Sequence, residues 1–359
     1  MFRDLDPSDP LASTFVSRIG DEVTRFLDGQ RPLMEEVGTQ ALLEGARAYA
    51  SGGKRLRPAF CTWAHLASGG GEDLDAVMRV AASLDLLHAS ALVHDDLIDS
   101  SDTRRGQPSA HRQYETLHVE RGGRGSTHQF GAAAAVLLGD MLLMWSGDMF
   151  DTSGAARLEA ARPELQRMRN EVTAGQFLDI SAAFGVADDP DPLRVASKVL
   201  EYKSASYSMR RPALIGARLA GASQAQLDAL ADFGSHIGHA FQLRDDVLGV
   251  WGDEELTGKP TGGDLREGKA TVLVLTALQS ADEQQTRLLD DVLGHTDAPE
   301  ADVVAAADVI EATGARAHVE RLIDEHLAQC LEALDAADFT DEGRQALIRL
   351  AELSVRRAF

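Results

Sequence analysis

Residues 84–99 read Leu-Asp-Leu-Leu-His-Ala-Ser-Ala-Leu-Val-His-Asp-Asp-Leu-Ile-Asp, an apolar helical run that ends in Asp95, Asp96 and Asp99. Asp95 and Asp99 stand four apart and share one helix face, about 6 Å apart along the axis. Like charges at that spacing cost a helix a few tenths of a kcal/mol unless a cation joins them. Mg²⁺ suits such a pair, because this hard ion keeps waters and is usually shared with substrate phosphates. A second run, Phe241-Gln242-Leu243-Arg244-Asp245-Asp246-Val247-Leu248, repeats the design. Either cluster alone is equally well explained as a solvated acidic face in a chain with 57 acidic residues. Two features favour a site. Each cluster follows a strongly apolar run, where exposed charge is least expected. Arg104-Arg105-Gly106 also follows the first one directly, setting fixed cations beside a metal and an anion.

The rest of the chain fits helices around these two. Of 359 residues, 44% are hydrophobic and only 5% aromatic, a balance that favours helix over sheet. Periodicity predicts helices over 14–28, 32–50, 73–100, 131–151, 155–185, 190–220, 224–251, 271–280, 283–294, 300–312 and 314–336. Gly and Asp/Pro clusters punctuate them at 68–73, 121–126, 186–192 and 258–268. The expected fold is all-α: a flexible arm over 1–15, one domain over 16–359, and a mobile excursion at 118–129.

The net charge of −22 argues against nucleic acid as the main partner. Neither a signal peptide nor an uninterrupted apolar stretch of bilayer length is read, so no transmembrane segment and a cytoplasmic location are expected. Cys61 and Cys330 carry no metal-ligand or disulfide spacing and are read as reduced packing residues. The loops and motifs GxxxxGK[ST], strand-borne GxGxxG, HExxH and GxSxG are absent.

The lysines give an independent argument. Of 35 basic residues only five are lysine: Lys54, Lys198, Lys203, Lys259 and Lys269. Lysine persisting in an arginine-rich chain marks places where a compact point charge is wanted, as on phosphate. Lys54, Lys259 and Lys269 each follow glycine, which lets backbone N–H groups approach an anion. Lys198 has no such setting. Carboxylates, a metal and several cations call for a substrate with more than one phosphate, and the apolar helices beneath call for a hydrocarbon tail.

At this point the residues resemble a known family, the trans-type polyprenyl diphosphate synthases, which include farnesyl and geranylgeranyl diphosphate synthases. The likeness runs through GGKRLRP (52–58), LVHDDLIDSSDTRRG (92–106), VLLGD (136–140), GQFLD (175–179), YKSASY (202–207) and FQLRDDVLGVWGD (241–253) with GKPTGGDLREGKAT (258–271). The resemblance implies an isoprenoid-synthase-type helical bundle around a deep central cavity, a homodimer, and a transferase of isoprenoid biosynthesis. It condenses isopentenyl diphosphate with an allylic prenyl diphosphate. Asp95, Asp99 and Asp245 would bind Mg²⁺, three ions per active site in the family, supported by Asp96 and Asp246. Arg104, Lys203, Ser204, Gln242, Lys259 and Lys269 would hold the allylic diphosphate. Lys54, Arg57, His88 and Arg105, with the Gly53 backbone, would hold isopentenyl diphosphate.

Two departures are visible. Ser204 stands where most members have Thr, and Gly249 stands where many have a third Asp, which leaves Asp245 as the main ligand of the second motif. The long 118–129 stretch resembles the actinobacterial branch. Class I terpene cyclases, the nearest rival, usually carry an (N/D)DxxSxxxE motif that is absent here, and non-catalytic partner subunits lose the acidic or basic motifs kept here. For chain length, the resemblance implies that the tail runs beside 84–95. Small Ser90 and Ala91, with Leu87 a turn deeper and Trp145 or Met144 as a floor, favour a C20 product over C15 or much longer chains.

Overall fold

The structure, a computed structural model, describes residues 5–71, 73–252 and 261–356. It is an all-α bundle built around two long helices, α4 (Leu74–Ile98) and α10 (Gln224–Trp251). Helix α4 is apolar over most of its circumference, and most of it is buried. Leu84, Leu86, Leu87 and Val93 are all buried, each worth about 1.5–3 kcal/mol relative to exposure. It packs on α1 (Ser13–Val37), α2 (Gln40–Ala50), α3 (Leu56–Ala67) and, across a two-stranded antiparallel ribbon (Thr103–Arg104 with Gln107–Pro108), on α5 (Ala110–Glu120) and α6 (Thr127–Asp151). Helix α10 opens with a Ser223–Gln226 capping box, which satisfies two otherwise orphaned N–H groups.

Between them run α7 (Leu158–Ala183), α8 (Pro192–Val199), a π-helical segment (Leu200–Arg210) and α9 (Arg211–Ala220). The single helix expected over 190–220 is thus widened in its middle. A Cβ at Gly175 of α7 would lie 2.5 Å from the Lys203 nitrogen, and one at Gly238 of α10 would lie 2.4 Å from the Ala205 Cα. Bare backbone on both neighbours gives the wider π coil its room. The chain finishes with α11 (Gly263–Arg266), α12 (Val272–Ser280), α13 (Glu283–Asp290), α14 (Glu300–Ala312), α15 (Ala315–Ala333) and α16 (Asp341–Val355).

Several expectations need correction. Helix α1 does not break near 29–31 but continues through exposed Pro32. Its buried stripe of Phe15, Ile19, Val23, Leu27 and Met34 offsets the roughly 3 kcal/mol that an interior proline costs. Residues 118–129 are no excursion: α5 runs to Glu120 and α6 starts at Thr127. His118 closes the turn between them, 3.2 Å from the Arg124 carbonyl and 3.1 Å from the Thr127 hydroxyl. The leading segment lies against the core over its described part, with Leu5 buried and the Trp63 indole donating to the Pro10 carbonyl at 3.1 Å. Two helices are, contrary to expectation, long and apolar enough to cross a membrane by length and composition: α4, 78% of whose apolar window is buried, and α6, 39% buried. Cys61 and Cys330 are buried and unpaired.

Candidate active site: a cationic cavity at the ends of two aspartate helices

Both central helices end on one cavity of about 680 Å³. From the first cluster, Asp95 lies on its wall. Its carboxylate accepts from Gln176 Nε2 at 3.2 Å and lies 3.5 Å from Lys203 Nζ and 3.6 Å from Arg104 Nη2. Asp96 points the other way. Fully buried, it accepts from the Tyr49 hydroxyl at 2.8 Å and takes a two-pronged grip from Arg104. Tyr49 in turn accepts from the Ala110 N–H at 2.7 Å, so Asp96 ties α2, the ribbon and α5 to the end of α4. Asp99 caps α4 outside the cavity wall. Desolvation by its surroundings, then the Asp95 charge, pushes its carboxyl up to about 6 against Lys203 and Lys269, although its surface still meets water.

The segment 51–55 forms the cationic rim. Gly52 and Gly53 adopt φ of +76° and +85°, which L side chains rarely tolerate, and Arg55 follows at +55°. A Cβ on Gly53 would stand 3.0 Å from Arg105 Nη2, while Arg105 Nη1 donates to the Ser51 carbonyl at 2.9 Å. Beneath the rim, buried Arg55 pairs with buried Asp85 at 2.6 Å. Arg57 stacks 4.3 Å over the Tyr207 ring and donates to Ser208 at 2.8 Å. His88 lies beside Tyr207. Burial, then the charges of Arg57, Arg105, Arg104 and Arg55, hold its imidazole well below the usual histidine range, hence neutral. A neutral imidazole beside four guanidinium groups serves as a hydrogen-bonding partner rather than a further charge.

At the second cluster, Gln242 donates to Asp246 at 2.9 Å. Burial, then the charges of Asp264 and Asp245, push Asp246 up to about 8 against the Gln242 bond. Lys203 donates to Asp179 at 2.6 Å, and Lys269 lies 3.0 Å from Asp264 and 2.8 Å from Glu267.

The structure therefore brings Gly53, Lys54, Arg57, His88, Asp95, Arg104, Arg105, Lys203, Ser204, Gln242, Asp245, Asp246 and Lys269 to one cavity. Lys259 falls outside the described residues. Ala91 and Leu92 line the same cavity, with Val172, Ala196 and Val199 as further apolar wall. Ser90 and Leu87 do not: Ser90 is buried against α6, donating to the Gly139 carbonyl at 2.7 Å. Met144 faces solvent and Trp145 packs in the core, so neither forms the expected floor. The sequence reading assigned no role to Gln176, Asp179, Asp85 or Asp264, although all four lie within or beside the motifs it quoted.

The donor set fits a divalent cation. Among the described residues no three acidic, histidine or cysteine side chains converge on one point. Dispersed carboxylates around a shared cavity are what Mg²⁺ uses when substrate phosphates complete its shell. Burial first, and neighbouring carboxylates second, push the carboxyls of Asp99 and Asp246 up, and a bound cation would favour their charged forms.

Comparison with known proteins agrees with this geometry. The family model described as polyprenyl synthetase matches residues 39–310. A crystal structure of geranylgeranyl pyrophosphate synthase from Corynebacterium glutamicum, complexed with isoprenyl diphosphate and magnesium, superposes with a TM-score of 0.91 at 39% identity, covering 96% of this chain and 98% of that one. Curated relatives include a (2E,6E)-farnesyl diphosphate synthase of Mycobacterium tuberculosis, 32% identical over 85% of this chain and 80% of its own length. A geranylgeranyl diphosphate synthase of Methanosarcina mazei is 31% identical over 86% and 87%. The chain belongs to the polyprenyl synthetase family and is a trans-prenyltransferase.

Proposed function

We propose that this enzyme lengthens an allylic prenyl diphosphate with isopentenyl diphosphate to give geranylgeranyl diphosphate, using Mg²⁺. The observation that carries this reading is one cavity whose wall holds Asp95, Asp245, Lys203 and Lys269 together with Ala91, Leu92, Val172 and Val199. Charged and hydrocarbon ends of one substrate find their matches there.

In this mechanism Lys203, Arg104 and Lys269 hold the allylic diphosphate, and Lys54, Arg57, His88 and Arg105 with the Gly53 backbone hold isopentenyl diphosphate. Mg²⁺, when bound, supplies positive charge that neutralises the diphosphate leaving group. Lys203 and Lys269 add fixed charge where negative charge builds as the allylic C–O bond breaks. The π electrons of isopentenyl diphosphate then form the new C–C bond to the allylic cation. The proton lost from the adjacent carbon goes to the departing diphosphate, so no protein base is required. The apolar wall keeps water from quenching the cation.

We place the enzyme in the cytoplasm, where the unpaired Cys61 and Cys330 would stay reduced, and read it as a homodimer. Support for the dimer comes from α6, which leaves Phe130, Val136, Leu137, Leu143 and Met144 exposed, a patch of the kind that marks an interface. Incubation with Mg²⁺, labelled isopentenyl diphosphate and each allylic primer tests the reaction. Incorporation ending at C20 supports the reading, C15 or longer chains would move the product assignment, and no incorporation would refute it. Light scattering at micromolar concentration tests the dimer.

A further inference from the structure

Gly249 occupies the place where many related motifs carry a third aspartate, and the structure gives that glycine a job. A Cβ built on Gly249 would lie 1.9 Å from Asp264 Oδ2 and 2.5 Å from its Cγ. Real Cβ atoms do not approach that closely, so the Asp264 carboxylate fills the space that any side chain at 249 would take. Asp264 comes from α11, on a separate stretch of chain, and its other oxygen lies 3.0 Å from Lys269 Nζ. The contact is reinforced along the backbone, where the Lys269 N–H donates to the Asp264 carbonyl at 3.1 Å.

Lys269 has a second acidic partner, Glu267, at 2.8 Å. The two partners differ in place. Asp264, Gly249 and Lys269 all line the cavity, and Glu267 does not. Asp264 therefore pairs with the ammonium on the cavity wall, and Glu267 pairs with it from off that wall. A lysine side chain with several free torsions follows whichever carboxylate is better placed.

We infer that Asp264, seated on the bare backbone of Gly249, is the positioning residue for Lys269, and that a side chain introduced at 249 in this chain displaces its carboxylate from that seat. This inference rests on the reading of Lys269 as a diphosphate-binding residue. It predicts that restoring a side chain at 249 impairs the site.

The test compares Gly249→Ala, Asp264→Asn and Lys269→Ala, and each of the first two combined with Lys269→Ala. Calorimetry with inorganic diphosphate and Mg²⁺ gives binding, and steady-state kinetics give KM for each substrate. Thermal melts report folding. Gly249→Ala keeps every charge and only displaces Asp264. It should weaken diphosphate binding and raise the allylic KM about ten-fold, the effect of a lost charge-assisted hydrogen bond. The isopentenyl diphosphate KM should stay unchanged. In the Lys269→Ala background neither substitution should weaken binding further, because contacting residues are non-additive. Asp264→Asn keeps the proposal testable if Gly249→Ala folds poorly. Wild-type binding in both folded variants, tighter binding in Asp264→Asn, or losses fully additive with Lys269→Ala would overturn the inference alone. Undiminished binding in Lys269→Ala would overturn both it and the Lys269 reading.

Discussion

The Asp85 carboxylate accepts from Arg55 at 2.6 Å with both side chains buried beneath the 51–55 rim. Arg55 also donates to the Ala50 carbonyl at 2.9 Å, so the pair fixes the turn that presents Gly53 and Lys54. Burial pushes the Asp85 carboxyl up even though Arg55 pulls it down, which shows desolvation competing with the attraction. In such pairs, removing one partner costs about 3–5 kcal/mol because the other charge is stranded. Asp85→Ala should therefore lower stability by about that amount in urea titrations. In the folded fraction it should raise KM for isopentenyl diphosphate more than for the allylic primer. Equal rises would mean that the pair supports the whole bundle and not the rim.

The aspartates of the first motif should separate by mutation. Asp95→Asn and Asp245→Asn remove charge from the cavity wall and should lower kcat by about 10²-fold or more, with melting temperatures near wild type. Asp96→Asn instead weakens the buried grip on Arg104 and Tyr49, and should lower the melting temperature as well as activity. A thermally unperturbed Asp96→Asn would show that the clamp matters little to the fold.

Among the cations, Lys54 lies on the rim and Lys203 beside Asp95 and Asp179. Lys54→Ala should raise KM for isopentenyl diphosphate far more than for the primer, and Lys203→Ala should do the reverse. If both variants shift both constants alike, the division between the two diphosphates fails.

Away from the cavity, His236 and His326 face each other with Nδ1 atoms 3.0 Å apart, and His239 meets the His326 ring edge-on while pairing with Glu201 at 2.7 Å. Burial, then the charges of His239 and His236, pushes His326 down to about 4, and burial followed by His239 lowers His236. Protons thus bind the unfolded chain first as pH falls. The stability contribution is complete above the ordinary histidine value of about 6.5 and is lost on acidification towards 4. Melting temperatures of wild type and His326→Gln at pH 7 and pH 5 check this. The variant should lose less on acidification, and parallel losses would rule the cluster out as the cause.

The two aspartate helices were legible because long apolar runs ending in paired carboxylates leave few other readings. Helix α3 was missed because it is short and its burial comes from packing against α4, α9 and the last helix, partners that no local pattern names. The π-helical widening depends on Gly175 and Gly238 from two other helices, and the Asp264–Gly249 contact joins separate segments. Such relationships exist only after folding. The rotation of α4 was hidden too, since a helix apolar over most of its circumference does not say which of two adjacent small residues meets the cavity.

That rotation decides the test of product length. Ala91 is on the cavity wall, whereas Ser90 donates to the Gly139 carbonyl where α4 and α6 are closely packed. A Cβ on Gly139 would lie 2.2 Å from the His94 ring, so this seam has no room for a larger group. Ser90→Phe should then act as an overpacked core, costing about 1–3 kcal/mol and lowering the melting temperature. Ala91→Phe places its ring in the cavity, one helical turn below Asp95. A turn is about 5.4 Å, close to the length of one isoprene unit, so the ring removes space for roughly the last unit added. The expected outcome is an active Ala91→Phe enzyme whose product shifts from C20 towards C15. Chromatography of the alcohols released by phosphatase reads this directly. A folded, active Ala91→Phe enzyme still making C20 would mean that the tail leaves the cavity along another wall, with Val172, Ala196 and Val199 as the next residues to substitute.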